Sequence, residues 1–375
     1  MLRKIVLFSV IISSLLILPL GCAQPPASAP TVAPTKSAEP GKATAAPVAS
    51  PASASPAPAK AAGAPATVRL GIIGNLTDAP ILIADAKGYF KSAGLDVEIS
   101  NFNTAAQMVA PLGTGQLDIG GGTVSAGLFN AVARGVDIKI VADKSSMLPG
   151  RAALNFVVRK DLADQIKDYK DLKGRTIATT PLGTSVEVEL HEILKKGNLK
   201  FDDVKQVTMN FPDMLTAFSN KSIDVAVSIE PFTTQGVEKG LIVRWKGMDE
   251  IYPNHMVSVL LYSPVFAKAH PDAAKSFMVA YIKGARDYID AFTKNKNKDE
   301  IVSILTKRTN VKDPALYDKM TVFGVSPDGT VNLKSLAYDQ DYYLQTGQIQ
   351  KKIDLSTLVD QQYVDYAVKE LGKYQ

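Results

Sequence analysis

The chain has 375 residues, with 42 Lys and Arg against 37 Asp and Glu, a formal net charge of +5. Five of the bases (Arg3, Lys4, Lys36, Lys42 and Lys60) and one acid (Glu39) fall in residues 1–66, so the rest is close to neutral and gives no electrostatic reason to expect a nucleic-acid partner. One cysteine, Cys22, excludes intrachain disulfides and cysteine-rich zinc sites, and three histidines (His191, His255 and His270) leave little material for a metal centre, so neither a metal nor a cofactor is expected.

Arg3 and Lys4 precede an apolar run from Ile5 to Leu18 broken only by Ser9, Ser13 and Ser14. As a helix it spans about 21 Å, short of the roughly 30 Å hydrocarbon core of a bilayer, and reads as an export signal instead of a span. The following Leu18-Pro19-Leu20-Gly21-Cys22 resembles a bacterial lipoprotein cleavage site, although Pro19 stands where an aliphatic residue is usual. That resemblance implies a signal over residues 1–21 and a lipid on Cys22. An ordinary secretory signal with an incidental cysteine is the alternative. Residues 23–66 hold 17 Ala and 10 Pro and no aromatic residue. Such a segment cannot bury enough apolar surface to offset its ordering entropy, so residues 22–66 read as a lipidated cysteine and a disordered tether.

From Thr67 the composition changes. A strand is predicted at Val68–Ile73, a helix from Pro80 to near Gly88, a strand at Leu95–Ile99 and a helix at Thr104–Leu112. A short strand at Leu117–Gly120, a helix at Ser125–Arg134 capped by Gly135 and a strand at Ile138–Ala142 follow. Strands alternating with helices of this length indicate crossover units on largely parallel sheet. The pattern then restarts: strand Thr176–Thr179, helix Thr184–Lys196, strand Val204–Met209, short helix Asp213–Ser219 and strand Asp224–Val227. The third strands echo one another, Leu117-Asp118-Ile119-Gly120 against Ile223-Asp224-Val225-Ala226, which favours two similar lobes over one long sheet. After a strand at Val257–Tyr262 the chain turns helical, at Pro271–Phe292, Lys298–Lys307 and near Ser356–Leu371.

Several stretches resemble the extracytoplasmic solute-binding proteins of nitrate, sulfonate and taurine ABC transporters and their thiamine-pyrimidine-precursor relatives. They are Ala84-Asp85-Ala86-Lys87-Gly88-Tyr89-Phe90 with Gly94-Leu95-Asp96-Val97-Glu98, Gly113 to Gly120, Asp171 to Ala178 and Ile223 to Val227, within residues 67–295. The resemblance implies a type II periplasmic-binding-protein fold: α/β, two lobes, each a mostly parallel sheet flanked by helices, joined by two crossover strands with ligand between them. It places lobe one at residues 67–158 plus 256–375 and lobe two at 159–255, with Val257–Tyr262 as the return crossover. It further implies a monomeric, non-enzymatic protein at the outer face of the cytoplasmic membrane or in the periplasm. Such a protein captures a sulfonate, a taurine-like zwitterion or another small anion and delivers it to a permease. A binding protein for a pyrimidine thiamine precursor, or an enzyme of the pyrimidine-synthase type, is the alternative; that enzyme family carries a cysteine cluster absent here.

In open α/β sheets, ligands sit beyond the carboxyl ends of strands. The candidates there are Asn75, Thr77 and Asp78 after the first strand and Asn103 after the second. Gly122, Thr123 and Ser125 follow the third, and Lys144 follows the fourth. In lobe two Gly183, Thr184 and Ser185 open a helix whose free amides suit an anion and are expected to face the Asn75–Thr77 loop. Capping and turn chemistry alone also places such residue types at such positions. Glu230 and Phe232 follow the last lobe-two strand; Glu230 would meet an amine, amidine or hydroxyl, or else serve only a helix start. Lys144, with Arg151 as a weaker second, would balance an anion. His191 one turn after Glu187 reads as surface charge, and His255 as a hinge histidine bonded to backbone.

Overall fold

A computed structural model describes residues 65–375; the export signal, Cys22 and the tether up to residue 64 lie outside them. Two five-stranded sheets carry the architecture. The first has the order β2 (Leu95–Asn101), β1 (Ala66–Ile72), β3 (Ile119–Thr123), β10 (Met256–Tyr262), β4 (Lys139–Ser146). The second has the order β7 (Lys205–Thr208), β6 (Thr176–Thr179), β8 (Val225–Ile229), β5 (Leu154–Arg159), β9 (Ile242–Gly247). Each is parallel except for one strand: β10 runs antiparallel to β3 and β4, and β5 to β8 and β9. Those two inverted strands are where the chain enters the second sheet and returns from it. The strand β5 escapes a reading by alternation, because Leu154–Val158 is buried along its whole length.

In the first lobe α1 (Ala79–Ala86) and α2 (Tyr89–Ser92) link β1 to β2, α3 (Ala106–Thr114) leads to β3, and α4 (Ala126–Ala133) leads to β4. The second sheet is dressed by α5 (Ser185–Lys196), α6 (Phe211–Ser219), α7 (Phe232–Glu238) and α8 (Met248–Ile251). After β10 come α9 (Pro264–Ala269), α10 (Pro271–Lys294), α11 (Lys298–Arg308), α12 (Leu333–Gln345), α13 (Leu355–Leu358) and α14 (Gln362–Leu371). The last predicted helix is therefore broken between Leu358 and Gln362, and α12 was not foreseen. Among the described residues no helix is long and apolar enough to cross a membrane.

The echo between the third strands has a physical basis. Asp118 accepts the Arg69 amide at 2.8 Å and returns its own amide to the Arg69 carbonyl at 2.9 Å. Asp224 does the same with Thr176, at 2.9 Å in each direction. An arginine completes each carboxylate, Arg69 at 2.6 Å in the first lobe and Arg159 at 3.0 Å in the second. The pairing fixes the register of the first strand against the third, where only two backbone positions pair in each sheet.

The core of the first lobe lies between its sheet and α1, α10 and α14, with Phe90 stacked on Phe277 at 4.6 Å and Tyr262 wedged beside them. Burial of each such side chain contributes about 1.5–3 kcal/mol. Gly284 of α10 is the point of closest helix approach, since a β-carbon there would stand 2.1 Å from the Pro80 carbonyl oxygen. Gly284→Ala should therefore destabilise the protein by about 1–3 kcal/mol, although alanine is the better helix former by ~1 kcal/mol. Thermal melting checks this; an unchanged or higher melting temperature would mean that α1 and α10 part without cost.

Candidate functional site

The loop after β1 is built by its own side chains. Asn75 Oδ1 accepts the Thr77 amide at 3.0 Å and the Thr77 hydroxyl at 2.8 Å, turning the chain into α1. Asp78 Oδ2 accepts the amides of Ile73 and Gly74, and its Oδ1 receives Lys144 Nζ at 2.6 Å. Lys144 also donates to Thr77 Oγ1 at 2.9 Å, and both charged side chains of the pair are fully buried. The pair lies across β3 at Gly121, where a β-carbon would sit 3.0 Å from Asp78 Oδ1 and 3.5 Å from the lysine methylenes. Lys144 lies inside β4, not in a loop beyond it, and Asp78 already neutralises it. Its expected role as counter-ion to an anion is therefore filled internally. Its neighbour Asp143 is pushed up to about 7 by burial, against hydrogen bonds from the Ser326 amide and the Ser146 hydroxyl.

Gly122 and Thr123 also belong to a strand, paired with Val259 and Ser258 of β10. A β-carbon at Gly122 would meet the Leu261 side chain at 2.5 Å, so that position faces packed side chains. Asn103 is exposed, with its amide on Gln107 of α3, and does not join the other candidates.

The helix openings of the two lobes meet directly. The Ala126 amide donates to the Gly183 carbonyl at 2.9 Å, and Ser125 and Thr184 form an antiparallel bridge. Ser125 caps α4 through the Leu128 amide, and buried Ser185 donates to the Val257 carbonyl at 3.4 Å. The loop Gly183–Ser185 thus bonds to the start of α4. The reason lies in α5. Glu187 accepts the Gly183 amide at 2.6 Å, the Tyr342 hydroxyl at 2.9 Å and the Gln348 amide at 3.0 Å, which draws the loop onto α12.

Glu187 is therefore buried, and His191 is half-buried between Phe201 and Tyr342, so the pair is not surface charge. Two residues after Glu187, Glu189 accepts from His255 Nδ1 at 2.8 Å, and His255 Nε2 reaches Asp339 of α12 at 3.1 Å, all three side chains being fully buried. His255 is bonded to two carboxylates, not to backbone. Burial alone would push the imidazolium down, but Asp339 and Glu189 outweigh it and hold it up at about 10. Burial pushes both carboxyls up, opposed by His255.

Glu230 closes the other side. Its Oε2 accepts the Thr234 amide at 3.0 Å and hydroxyl at 2.8 Å, while Oε1 receives Arg244 and, at 3.2 Å, the Thr321 amide. The carboxylate is thus satisfied as a helix-start group and an ion pair. Phe232, the first residue of α7, is half-buried. Sequence reasoning missed Gly121, Arg244 and the α12 side chains Asp339 and Tyr342, because pairing across the chain, with no local motif, brings them here. Among the described residues no group of three or more His, Cys, Asp or Glu side chains could hold a metal ion.

Two mixed α/β sheets, each interrupted by one inverted strand and meeting at helix openings, define the two-lobed fold of periplasmic binding proteins. Residues 75–291 match the family model described as NMT1/THI5 like, and the chain belongs to that family. A protein of Brucella abortus (strain 2308), named as a binding protein, is 28% identical over 301 residues, covering 76% of this chain and 88% of the relative. An aliphatic sulfonates-binding protein, so named, of Bacillus subtilis (strain 168) is 25% identical over 321 residues, covering 81% and 88%. The solved structure of the periplasmic aliphatic sulphonate binding protein of Escherichia coli is 20% identical with a TM-score of 0.63, covering 78% of this chain and 96% of that one. A 4-amino-5-hydroxymethyl-2-methylpyrimidine phosphate synthase of Aspergillus parasiticus, 25% identical, covers 56% of this chain and 62% of its own length. The Brucella and Bacillus relatives, which share most of the chain, are named as binding proteins, whereas the synthase shares 56% of it.

The raised His255 predicts a definite pH dependence. A histidine held at about 10 in the fold and near about 6.5 when unfolded contributes stability that is complete below the lower value and lost as pH rises through the upper one. Wild type should therefore lose stability as pH rises from about 7 towards about 10, and His255→Gln should cost about 3–5 kcal/mol at about pH 6. Urea denaturation across that range checks this, and a wild-type stability flat in pH would place the imidazole neutral between its carboxylates.

Proposed function

We propose that the protein is the solute-binding component of an ABC importer. In this reading it is lipid-anchored through Cys22 outside the cytoplasmic membrane and holds a small organic solute between its lobes for delivery to a permease. The observation that carries the reading is the direct bonding of the two helix-opening loops, Ala126 to Gly183 and Ser125 to Thr184, in a chain of this family. Contacts of that kind exist only while the lobes are together. A ligand touching both lobes therefore favours the closed arrangement by its differential contact, and closure reports the ligand to the permease. Asn75, Thr77, Thr123, Ser125, Thr184, Ser185 and Phe232 are the side chains proposed to approach it. Gly122, Gly183, Asp78 and Glu230 shape the walls, Asp78 holding Lys144 and Glu230 holding Arg244. A sulfonate or similar anion accords with the names of the Bacillus and Escherichia proteins. Similarity to the Aspergillus synthase supports an aminopyrimidine as the second reading.

A thermal-shift screen of sulfonates, taurine, nitrate, aromatic acids and aminopyrimidines should find one class that raises the melting temperature as RT ln(1 + [L]/Kd) requires. Small-angle scattering should then show compaction on adding that ligand to the wild type. Thr184→Leu combined with Ser185→Leu should abolish the compaction while leaving the far-ultraviolet dichroism intact. Tight binding without compaction, or normal closure of the double variant, would defeat the mechanism. The anchor is tested separately: Cys22→Ser should move the protein from the membrane to the soluble fraction, and unchanged membrane association would refute lipidation at that residue.

A further inference from the structure

Lobe two is fastened to lobe one by more than the loops that meet at Gly183. Helix α12 and the turn behind it sit on α4 of lobe one: the rings of Tyr343 and Phe129 lie 6.0 Å apart, and Asn130 donates to the Gln348 carbonyl at 2.8 Å. From there α12 reaches α5 of lobe two, where Tyr342 donates to Glu187 at 2.9 Å and Tyr338 donates to Glu192. Between the two helices, at the start of the return crossover, His255 bonds to Glu189 of α5 and to Asp339 of α12. One imidazole therefore joins lobe two, the crossover and the extension that rides on lobe one.

Water does not share the load at this joint. All three side chains are buried, and Glu189 Oε2 and Asp339 Oδ1 have no hydrogen-bond partner among the described residues. The groups packed around it are phenols. The Tyr252 ring stacks on His255 at 4.3 Å, Tyr338 lies against Tyr252, and Tyr343 follows Asp339 by one turn. Burial pushes these three phenols up and pushes His191 of α5 down. Lys195 of α5 lies further out, on Glu192 and the Tyr338 hydroxyl. As pH rises from neutral, the imidazolium is thus the group of the joint that gives up a proton. Two buried carboxylates are then left without a cation between them, and the simplest relief is for α5 to leave α12 so that water reaches both.

We propose that Glu189, His255 and Asp339 form a proton-operated latch between the lobes: protonated His255 holds α5 on α12, and loss of that proton lets lobe two swing away while each lobe stays folded. The latch belongs to the chain without solute, so it stands apart from the solute-binding reading. Opening returns the imidazole to water, where it titrates near about 6.5, against about 10 when latched. The closed form binds the extra proton, so the closed-to-open ratio should be constant below the lower value and fall about tenfold for each pH unit between the two.

The test uses the full chain without any added solute. Small-angle scattering should show the radius of gyration rising as pH goes from about 7 to about 10, with the far-ultraviolet dichroism unchanged. His255→Gln should be expanded already at neutral pH and insensitive to pH over that range. Nuclear magnetic resonance of nitrogen-labelled histidine should find one of the three imidazoles still doubly protonated at about pH 8, and Asp339→Asn should lower its titration by about one unit or more. If His255→Gln does not fold, Asp339→Asn decides alone, because it keeps the shape of the side chain and changes only its charge. A radius constant with pH, an expansion that runs in step with loss of dichroism, the same transition in His255→Gln, or a histidine titration unmoved by Asp339→Asn would each overturn the latch.

Discussion

Charge pairing at the seam between the two sheets constrains everything built on it. A charge taken from water into the interior must find an opposite charge and hydrogen bonds to match, or neutralise. Here Asp78 meets Lys144, Glu230 meets Arg244, and His255 stands between Glu189 and Asp339. Asp78 and Lys144, and His255 and its two carboxylates, are 66 or more residues apart, whereas Glu230 and Arg244 join neighbouring elements of the second sheet. Each of these buried charges therefore meets an opposite one inside the protein.

Further contacts explain how two lobes of similar plan are joined. Asp118 and Asp224 perform one task in each sheet, tying the third strand to the first. What differs is the C-terminal extension. The segment around Thr321 and Gly324 bonds to Glu230, to Ser146 and to Arg151, and so touches the second sheet's loop, the first sheet and the crossover together. On the opposite side α12 donates Tyr342 to Glu187 and Tyr338 to Glu192 of α5, and its Asp339 is joined to Glu189 only through His255 between them. Both segments lie beyond residue 291, where the family match ends.

The candidate residues separate by what their neighbours demand. Ser125 and Asn75 do what capping chemistry asks, whatever else they touch. Glu230 had two readings, a ligand's partner or a helix-start carboxylate, and the Thr234 amide with Arg244 fills the second. Lys144 could not be judged by position, because a lysine at the end of an apolar strand is equally at home in water. Gly121, two residues before Thr123, makes room for it across the sheet.

Hydrophobic periodicity and turn chemistry were enough to place most strands, the α/β alternation and the twofold repeat, because these are local patterns of a few residues that propensity and burial dictate. The family, too, was legible, in short runs such as Gly88-Tyr89-Phe90 and Leu117-Asp118-Ile119-Gly120. Strand β5 was not, since a strand buried on both faces loses the alternation that marks it. Nor were the partners of Lys144, Glu187 and His255. Asp78, Tyr342, Glu189 and Asp339 each lie 66 or more residues from the side chain they meet, and such contacts depend on distance in space, which only the packed tertiary structure sets.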